Sequence, residues 1–180
     1  MLLGILLSAL LFFPAIIQGD ENTIQWKAFP RLSWNDFKAS PPPNATNAAL
    51  TSSGILMKFS SNGESLTYQI SCNFVKINSW GRVKNDHILS HEQGHFDIAE
   101  IFARKLNKDL KAYQVNGNSV SKDVNTIYKN VMAGLLEMQT LYDGQTDHSR
   151  DHTQQKIWLE RINGNLAALD NYSGYTYTSN

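Results

Sequence analysis

The chain has 180 residues, about the length of one domain, and its 16 Lys and Arg residues balance 16 Asp and Glu residues. This neutral balance indicates neither the basic surface of a nucleic-acid-binding protein nor a basic patch for a membrane surface, so no nucleic-acid partner is expected. One cysteine excludes an internal disulfide framework and a cysteine-rich zinc module. Any bound metal would therefore need His, Asp or Glu ligands.

Residues 1–19 are predicted to form a secretory signal peptide. The chain is almost wholly apolar over residues 2–17, which is shorter than the roughly 20 residues that a transmembrane helix needs, and the small Gly19 suits a cleavage site. Because this segment contains no Lys or Arg, an uncleaved membrane anchor is the alternative. In either case the domain, residues 20–172, is expected outside the cytoplasm, secreted or periplasmic.

Two β-strands are predicted in the first half of the chain. Apolar and polar side chains alternate over residues 66–74, the period of a half-buried strand, and this pattern places Cys72 on the apolar face as an inert buried thiol. Residues 55–59 form the second strand, with a polar turn at residues 60–63. The Pro-rich residues 40–47 form a loop.

The second half of the chain has the 3.6-residue period of helices. Asp86 is expected to cap a helix over residues 87–111. A second helix opens at Ser121 and is ended by Asp143-Gly144, and a third begins at about Asp151. This order of elements predicts an α+β fold, in which an N-terminal antiparallel sheet packs on one long helix and two further helices follow. Residues 173–180 are predicted to be a flexible tail.

The sequence HEQGH, residues 91–95, lies inside the first predicted helix. At 100° per residue, His91 and His95 lie one turn apart on one face, so two imidazoles can reach one metal ion. Glu92 lies about 100° further round, where its carboxylate can act as a general base without being a ligand. The spacing therefore predicts two zinc ligands and a base, with Zn²⁺ as the cofactor. Ordinary polar helix residues around one buried histidine are the alternative.

A catalytic zinc needs a third protein ligand and keeps its fourth position for water. Glu100 lies on the opposite face of the helix from His91, so the third ligand is expected downstream, within residues 142–152. His148 is the first choice because an imidazole in a loop between helices can swing onto the first helix. The alternatives are Asp143, His152 and Glu137.

Two blocks of the sequence are more specific than the two histidines alone, LSHEQGHFDIAEIFA (residues 89–103) and YDGQTDH (residues 142–148), and LSWNDF (residues 32–37) and Ser79-Trp80 agree with them. Together these blocks resemble the predicted secreted zinc-dependent proteases long catalogued as a bacterial domain of unknown function. The resemblance implies a zincin-like bacterial peptidase. That family usually has Gly where this chain has Ser149.

For individual residues, the resemblance implies that His91 and His95 are metal ligands and that Glu92 is the base. It also implies a function at four positions near the end of the second helix, which are Tyr142, Asp143, Thr146 and His148.

These observations predict a secreted zinc metallopeptidase that acts on peptides or proteins. His91, His95 and His148 are expected to hold Zn²⁺. Glu92 accepts a proton from the attacking water, and the Tyr142 hydroxyl helps to stabilise the oxyanion. The alternatives are a non-catalytic secreted zinc-binding interaction module and a zinc hydrolase of another amide or ester. Three protein ligands would favour an enzyme, and four would favour a structural site.

Overall fold

The computed structural model describes residues 21–178. The predicted signal peptide, residues 1–19, lies outside the described residues. The described chain is α+β, as the sequence predicts. No helix in residues 21–178 is long and apolar enough to cross a membrane.

The main sheet is built from the strands that the alternating pattern predicts and from two short strands at the chain ends. Residues 21–178 contain six strands in the two sheets: β1 (Thr23–Gln25), β2 (Ala49–Leu50), β3 (Ser53–Ser61), β4 (Leu66–Val75), β5 (Trp80–Gly81) and β6 (Thr176–Thr178). β3 and β4 form a long antiparallel hairpin, with Ser53 opposite Phe74 and Ser61 opposite Leu66. β2 and β5 form a separate two-stranded sheet.

β1 and β6 both pair with β4 in the antiparallel sense, at opposite ends of that strand. Because β3 occupies one edge of β4 along almost its whole length, β1 and β6 share the other edge. Part of the stretch that the sequence predicts as a flexible tail, residues 176–178, therefore forms a strand of the main sheet. Asn107 fixes the approach to β6, since its side-chain amide donates to the carbonyl oxygens of Tyr172 and Gly174 at 2.7 Å each.

Three long helices follow the hairpin: α1 (Asp86–Ala112), α2 (Val120–Gln145) and α3 (His152–Ala168). Asn85, not Asp86, caps α1, because its side-chain oxygen accepts from the backbone N–H of Ile88 at 2.8 Å. The prediction that Asp143-Gly144 ends the second helix is also wrong, because α2 continues through both residues. A glycine costs only about 1 kcal/mol in a helix, and packing of α2 on α1 outweighs this.

α1 is the central element, since it contacts β3 and β4 as well as α2 and α3. Every second residue of β4 is buried, which explains the alternation in the sequence: Leu66, Tyr68, Ile70, Cys72 and Phe74. Burial raises the pKa of the Cys72 thiol, and the nearby Glu100 and Asp97 raise it further. This thiol is therefore buried and protonated at neutral pH, in keeping with an inert structural role.

Two polar residues of α1 attach the N-terminal segment to the helix. The side-chain oxygen of Gln93 accepts from the backbone N–H of Leu32 at 2.8 Å, and its amide donates to Asp97 at 2.9 Å. Asp97 also accepts from the indole N–H of Trp26 at 2.8 Å and forms an ion pair with Arg31. The segment before the hairpin is thereby fixed to the part of α1 that carries the HEQGH sequence.

Candidate metal centre

Three side chains from α1 and α2 bring their donor atoms together. The Nε2 atoms of His91 and His95 lie 3.2 Å apart, and each lies 3.1 Å from Oδ1 of Asp143. These three residues form the one such group of metal-ligating side chains within residues 21–178. The helical spacing of the two histidines gives the first distance, and the last turn of α2 supplies the carboxylate.

The separations suit a tetrahedral zinc site. Two ligands that are each 2.0–2.1 Å from zinc and subtend a tetrahedral angle lie about 3.3 Å apart. The three separations between His91, His95 and Asp143 are within a few tenths of an ångström of this value. A carboxylate and two imidazoles are also a donor set that zinc accepts.

Gln139, one helical turn before Asp143, orients His95. Its side-chain oxygen can only accept, so the hydrogen bond between that oxygen and Nδ1 of His95 requires a proton on Nδ1. The amide of Gln139 donates in turn to the main-chain carbonyl of His95 at 2.8 Å. In the neutral imidazole this leaves the lone pair on Nε2, the atom that faces His91 and Asp143.

The electrostatics of the three groups reflect this closeness. Burial tends to raise the pKa of Asp143, but hydrogen bonds from His91 and His95 hold it well below its usual range. Burial lowers the pKa of His91. For His95, burial also acts to lower the pKa, but the hydrogen bond and charge of Asp143 outweigh it and raise the pKa. An anionic carboxylate between two imidazoles is a suitable cage for a cation.

Glu92 lies next to the three donor residues but does not belong to the group. The residue is 4% exposed, and its Oε2 atom has no hydrogen-bond partner among the described residues. Burial raises the pKa of the Glu92 carboxyl, and the neighbouring His95 and Thr51 partly offset that rise. The side chain lines a cleft of about 380 Å³, the metal cleft, together with His91, His95 and Asp143. A buried carboxylate that lines this cleft and keeps one oxygen without a partner is positioned to accept a proton.

The walls of the metal cleft come from two other parts of the chain. One wall is the backbone around β2, where Thr51 donates to the main-chain carbonyl of Glu92 at 3.1 Å. The other wall is apolar and consists of the α2 residues Met132, Leu135 and Leu136. The cleft thus has a polar floor with the three donors and an apolar side.

Tyr142 does not lie where the sequence places it. Its side chain is 0% exposed and does not line the metal cleft. The ring stacks on His91 at a centroid distance of 4.5 Å, and the hydroxyl donates to the main-chain carbonyl of His91 at 3.3 Å. The sequence predicts this hydroxyl at the oxyanion, whereas the structure places it behind His91, on the main-chain carbonyl of that residue. Tyr142 instead holds the His91 imidazole from behind, through its ring and its hydroxyl.

His148, the predicted third ligand, lies at the rim of the cleft. Its side chain is 56% exposed, and its Nδ1 atom lies 3.7 Å from Oδ1 of Asp143. Asp147, His148 and Ser149 all have positive φ, so this turn after α2 directs the imidazole past the carboxylate. The geometry favours Asp143 over His148 because a side chain inside the last turn of α2 packs directly against α1.

The other candidates from the sequence lie apart from the three donors. Glu137 is exposed on α2, and His152 stacks on His87 with ring centroids 3.7 Å apart. Thr146 is buried, and its hydroxyl donates to the carbonyl of Tyr142 at 2.7 Å, which stabilises the end of α2. None of these three contributes a donor to the group.

Residues 76–149 match a family described as bacterial proteins of unknown function, DUF922. The matched segment includes α1, α2 and all of the donor residues, together with Glu92. No curated protein and no solved structure matches the chain. The match to DUF922 therefore covers the candidate site and gives no activity for it.

Sequence reasoning missed two contributors to the site. Gln139 lies four residues before Asp143, so the two share a helix face, but this signal is visible only once α2 is known to include Asp143. Thr51 and the backbone beside it carry no recognisable motif. Their position depends on the pairing of β2 with β5, two residues from each strand.

Proposed function

We propose that this chain is an extracytoplasmic, zinc-dependent bacterial metallopeptidase. The observation that carries the proposal is the group of His91, His95 and Asp143, whose donor atoms lie 3.1–3.2 Å apart at the floor of an open cleft. The resemblance of residues 89–103 and 142–148 to predicted secreted zinc proteases supports it, as does the apolar segment at residues 2–17.

In this proposal His91, His95 and Asp143 hold the metal. Zinc, when bound, lowers the pKa of a coordinated water to about 7 and polarises a substrate carbonyl. Gln139 keeps the His95 imidazole in the tautomer that presents Nε2, and Tyr142 fixes the plane of His91 by stacking. The ligands are thus rigidly held before any substrate arrives.

Glu92 is the general base. Its carboxylate accepts the proton of the attacking water at the start of the reaction and delivers a proton to the leaving amine at the end. The free Oε2 atom and the buried setting support this role, because burial brings the pKa of the carboxyl closer to neutral pH. The side chains of Met132, Leu135 and Leu136 give the cleft an apolar wall against which a peptide can pack.

A non-catalytic zinc module is the second candidate, and His148 is the residue on which it depends. With Nδ1 of His148 3.7 Å from Asp143 Oδ1, a modest rotation would make it a fourth protein ligand and close the site. Three donors with one side open to the cleft support the enzyme. Zinc hydrolysis of other amides or esters would use the same residues.

The first experiment is metal analysis of the purified chain from Asp20 onward. One Zn²⁺ per chain is expected, and His91→Ala should abolish binding. Glu92→Gln should keep the fold and the zinc but lose about 10²-fold to 10⁴-fold in turnover of a broad peptide library. Glu137→Gln, an exposed glutamate outside the cleft, is the matched control and should retain wild-type turnover.

Each alternative has its own outcome in these measurements. Stoichiometric zinc in the double variant His91→Ala/His95→Ala would show that the metal is held elsewhere. A folded, zinc-loaded wild type that cleaves no peptide, amide or ester would favour the binding module. Cleavage of esters alone would support a zinc hydrolase and contradict the proposal of a peptidase.

A further inference from the structure

A second cavity, of about 810 Å³, adjoins the metal cleft. The two share Asn47, Ala48, His148 and Ser149 in their walls, so a chain lying across the metal donors can extend into the second space. We call it the adjoining cavity. Its other walls come from the residues that follow β5, the first turn of α1 and the start of α3.

The adjoining cavity is lined by basic groups without a carboxylate. Five of its lining residues carry or can carry a positive charge: Arg82, Arg150, His87, His148 and His152. No Asp or Glu of the described chain lines it. Because the whole chain has equal numbers of acidic and basic residues, this is a local excess of positive charge next to the candidate active site.

Arg82 is the fixed and uncompensated charge in the adjoining cavity. Its Nε donates to the carbonyl oxygen of Asn47 at 3.1 Å, and Nη2 donates to that of Thr46 at 2.9 Å. It has no ion-pair partner among residues 21–178. Arg150 differs, because its guanidinium makes two hydrogen bonds to the carboxylate of Asp147, at 2.7 and 3.0 Å. Neutral carbonyls thus orient Arg82 and leave its charge available.

The histidines add donors on the side nearest the metal centre. Nε2 of His87 lies 2.6 Å from the carbonyl oxygen of Ser149, so this nitrogen carries a proton and is already engaged. The imidazoles of His148 and His152 are exposed, and within residues 21–178 neither ring donates to a carbonyl oxygen. His148 lies beside the three metal-site donors, with its Nδ1 atom 3.7 Å from Oδ1 of Asp143. The cavity therefore offers hydrogen-bond donors from Arg82 toward the scissile position.

We propose that the adjoining cavity binds a carboxylate of the substrate and that Arg82 is the residue that determines this specificity. The proposal rests on the proposed peptidase function and names its substrate class, which is peptides with a carboxylate close to the scissile bond. That carboxylate is either an Asp or Glu side chain or the free C-terminus. A guanidinium held by two carbonyls binds a carboxylate with little loss of side-chain freedom.

Peptide binding to the zinc-loaded Glu92→Gln protein tests this without turnover. Three fluorescent pools of short peptides differ only in the carboxylate: an internal Asp with a C-terminal amide, Asn with the amide, and Asn with a free C-terminus. At least one carboxylate pool should bind about tenfold more tightly than the neutral pool. The pool that binds more tightly shows whether the cavity recognises a side-chain carboxylate or the C-terminal carboxylate. Raising the salt concentration should reduce the gain.

Variants in the same background assign the effect. Arg82→Gln should remove the preference, and Arg82→Lys, which keeps the charge, should retain part of it. Arg150→Gln should change it less, since Asp147 already neutralises that arginine. Lys58→Gln on β3 makes the same change in net charge away from both cavities and should leave the preference intact. Thermal melts check that each variant is folded.

The outcomes separate this inference from the proposed function. Equal binding of the three pools, no binding of any pool, or a preference that survives Arg82→Gln would overturn the carboxylate site. If the wild type also cleaves all three pools equally, the proposed peptidase function is supported and the proposed carboxylate specificity is contradicted. If Arg82→Gln abolishes the preference but the wild type cleaves none of the pools, the carboxylate-binding site is supported and the peptidase function is contradicted.

Discussion

Gly94 faces Tyr142 so closely that a Cβ atom at Gly94 would lie 2.5 Å from the Tyr142 hydroxyl oxygen. The glycine between the two histidines of HEQGH therefore makes room for the ring that stacks on His91. Gly94→Ala should lower the free energy of unfolding by about 1–3 kcal/mol, because the buried tyrosine must shift. Urea denaturation of the metal-free protein measures this.

A double variant separates the steric effect from other causes. Tyr142→Phe removes the atom nearest to the new methyl group, so it should recover part of the loss in the Gly94→Ala background. Gly164→Ala is the control, because a Cβ atom at that helical position meets nothing within 4 Å. Equal losses in the single and double variants would show that the hydroxyl is not the obstacle.

Gln139→Leu should weaken zinc binding by about 10-fold to 100-fold, because it removes the acceptor that fixes the His95 tautomer. Competition with a chromophoric chelator measures the affinity. Glu137→Leu changes an exposed residue of the same helix and is expected to leave the affinity unchanged. Unaltered zinc affinity in Gln139→Leu would mean that the imidazole is oriented without this hydrogen bond.

Ser149→Gly should stabilise the fold by about 0.5–1 kcal/mol. Ser149 has φ 72°, a left-handed conformation that costs a non-glycine residue about 1–2 kcal/mol, and the added freedom of glycine in the unfolded chain offsets part of the gain. The hydrogen bonds of Ser149 use its backbone, so the substitution keeps them. Thermal or urea unfolding measures the difference. Ser149→Ala retains the strain and should give no gain.

Stability should fall as the pH rises above about 8.5, the ordinary pKa of a cysteine thiol. Burial raises the pKa of Cys72 in the folded protein. The thiol therefore contributes fully below the unfolded pKa, and this contribution is lost at about 1.4 kcal/mol per pH unit as the unfolded chain ionises. Urea titrations at pH 8, 9 and 9.8 should give a steeper decline for the wild type than for Cys72→Ala. Parallel curves would contradict this assignment.

The sequence predicts the parts of this fold that depend on local periodicity. Alternation over residues 66–74 lies within β4, and the helical period places His91 and His95 on one face of α1. Both follow from backbone geometry that neighbouring residues share. The same local periodicity predicts a hairpin followed by three helices, and this order of elements indicates the α+β fold.

Long-range pairing sets the features that the sequence did not predict. Asp143-Gly144 has the composition of a helix end, yet packing on α1 keeps both residues in α2. That difference moves Asp143 from the predicted end of the helix to a rigid position within it, beside His95, and it leaves His148 at the rim. The polar chain end also gave no sign of β6, because its order depends on the edge of β4 and on Asn107.

The positions of β1 and β6 have a mechanical consequence. Both strands lie on one edge of β4, with β1 opposite its last residues and β6 opposite its first, and both run antiparallel to it. Thr23, the first residue of β1, lies at one end of β4, and Thr178, the last residue of β6, lies at the other end. A force that draws these two ends apart would pull β1 and β6 each along its own axis. The hydrogen bonds between each of these strands and β4 would then be loaded together in shear and would not break one after another.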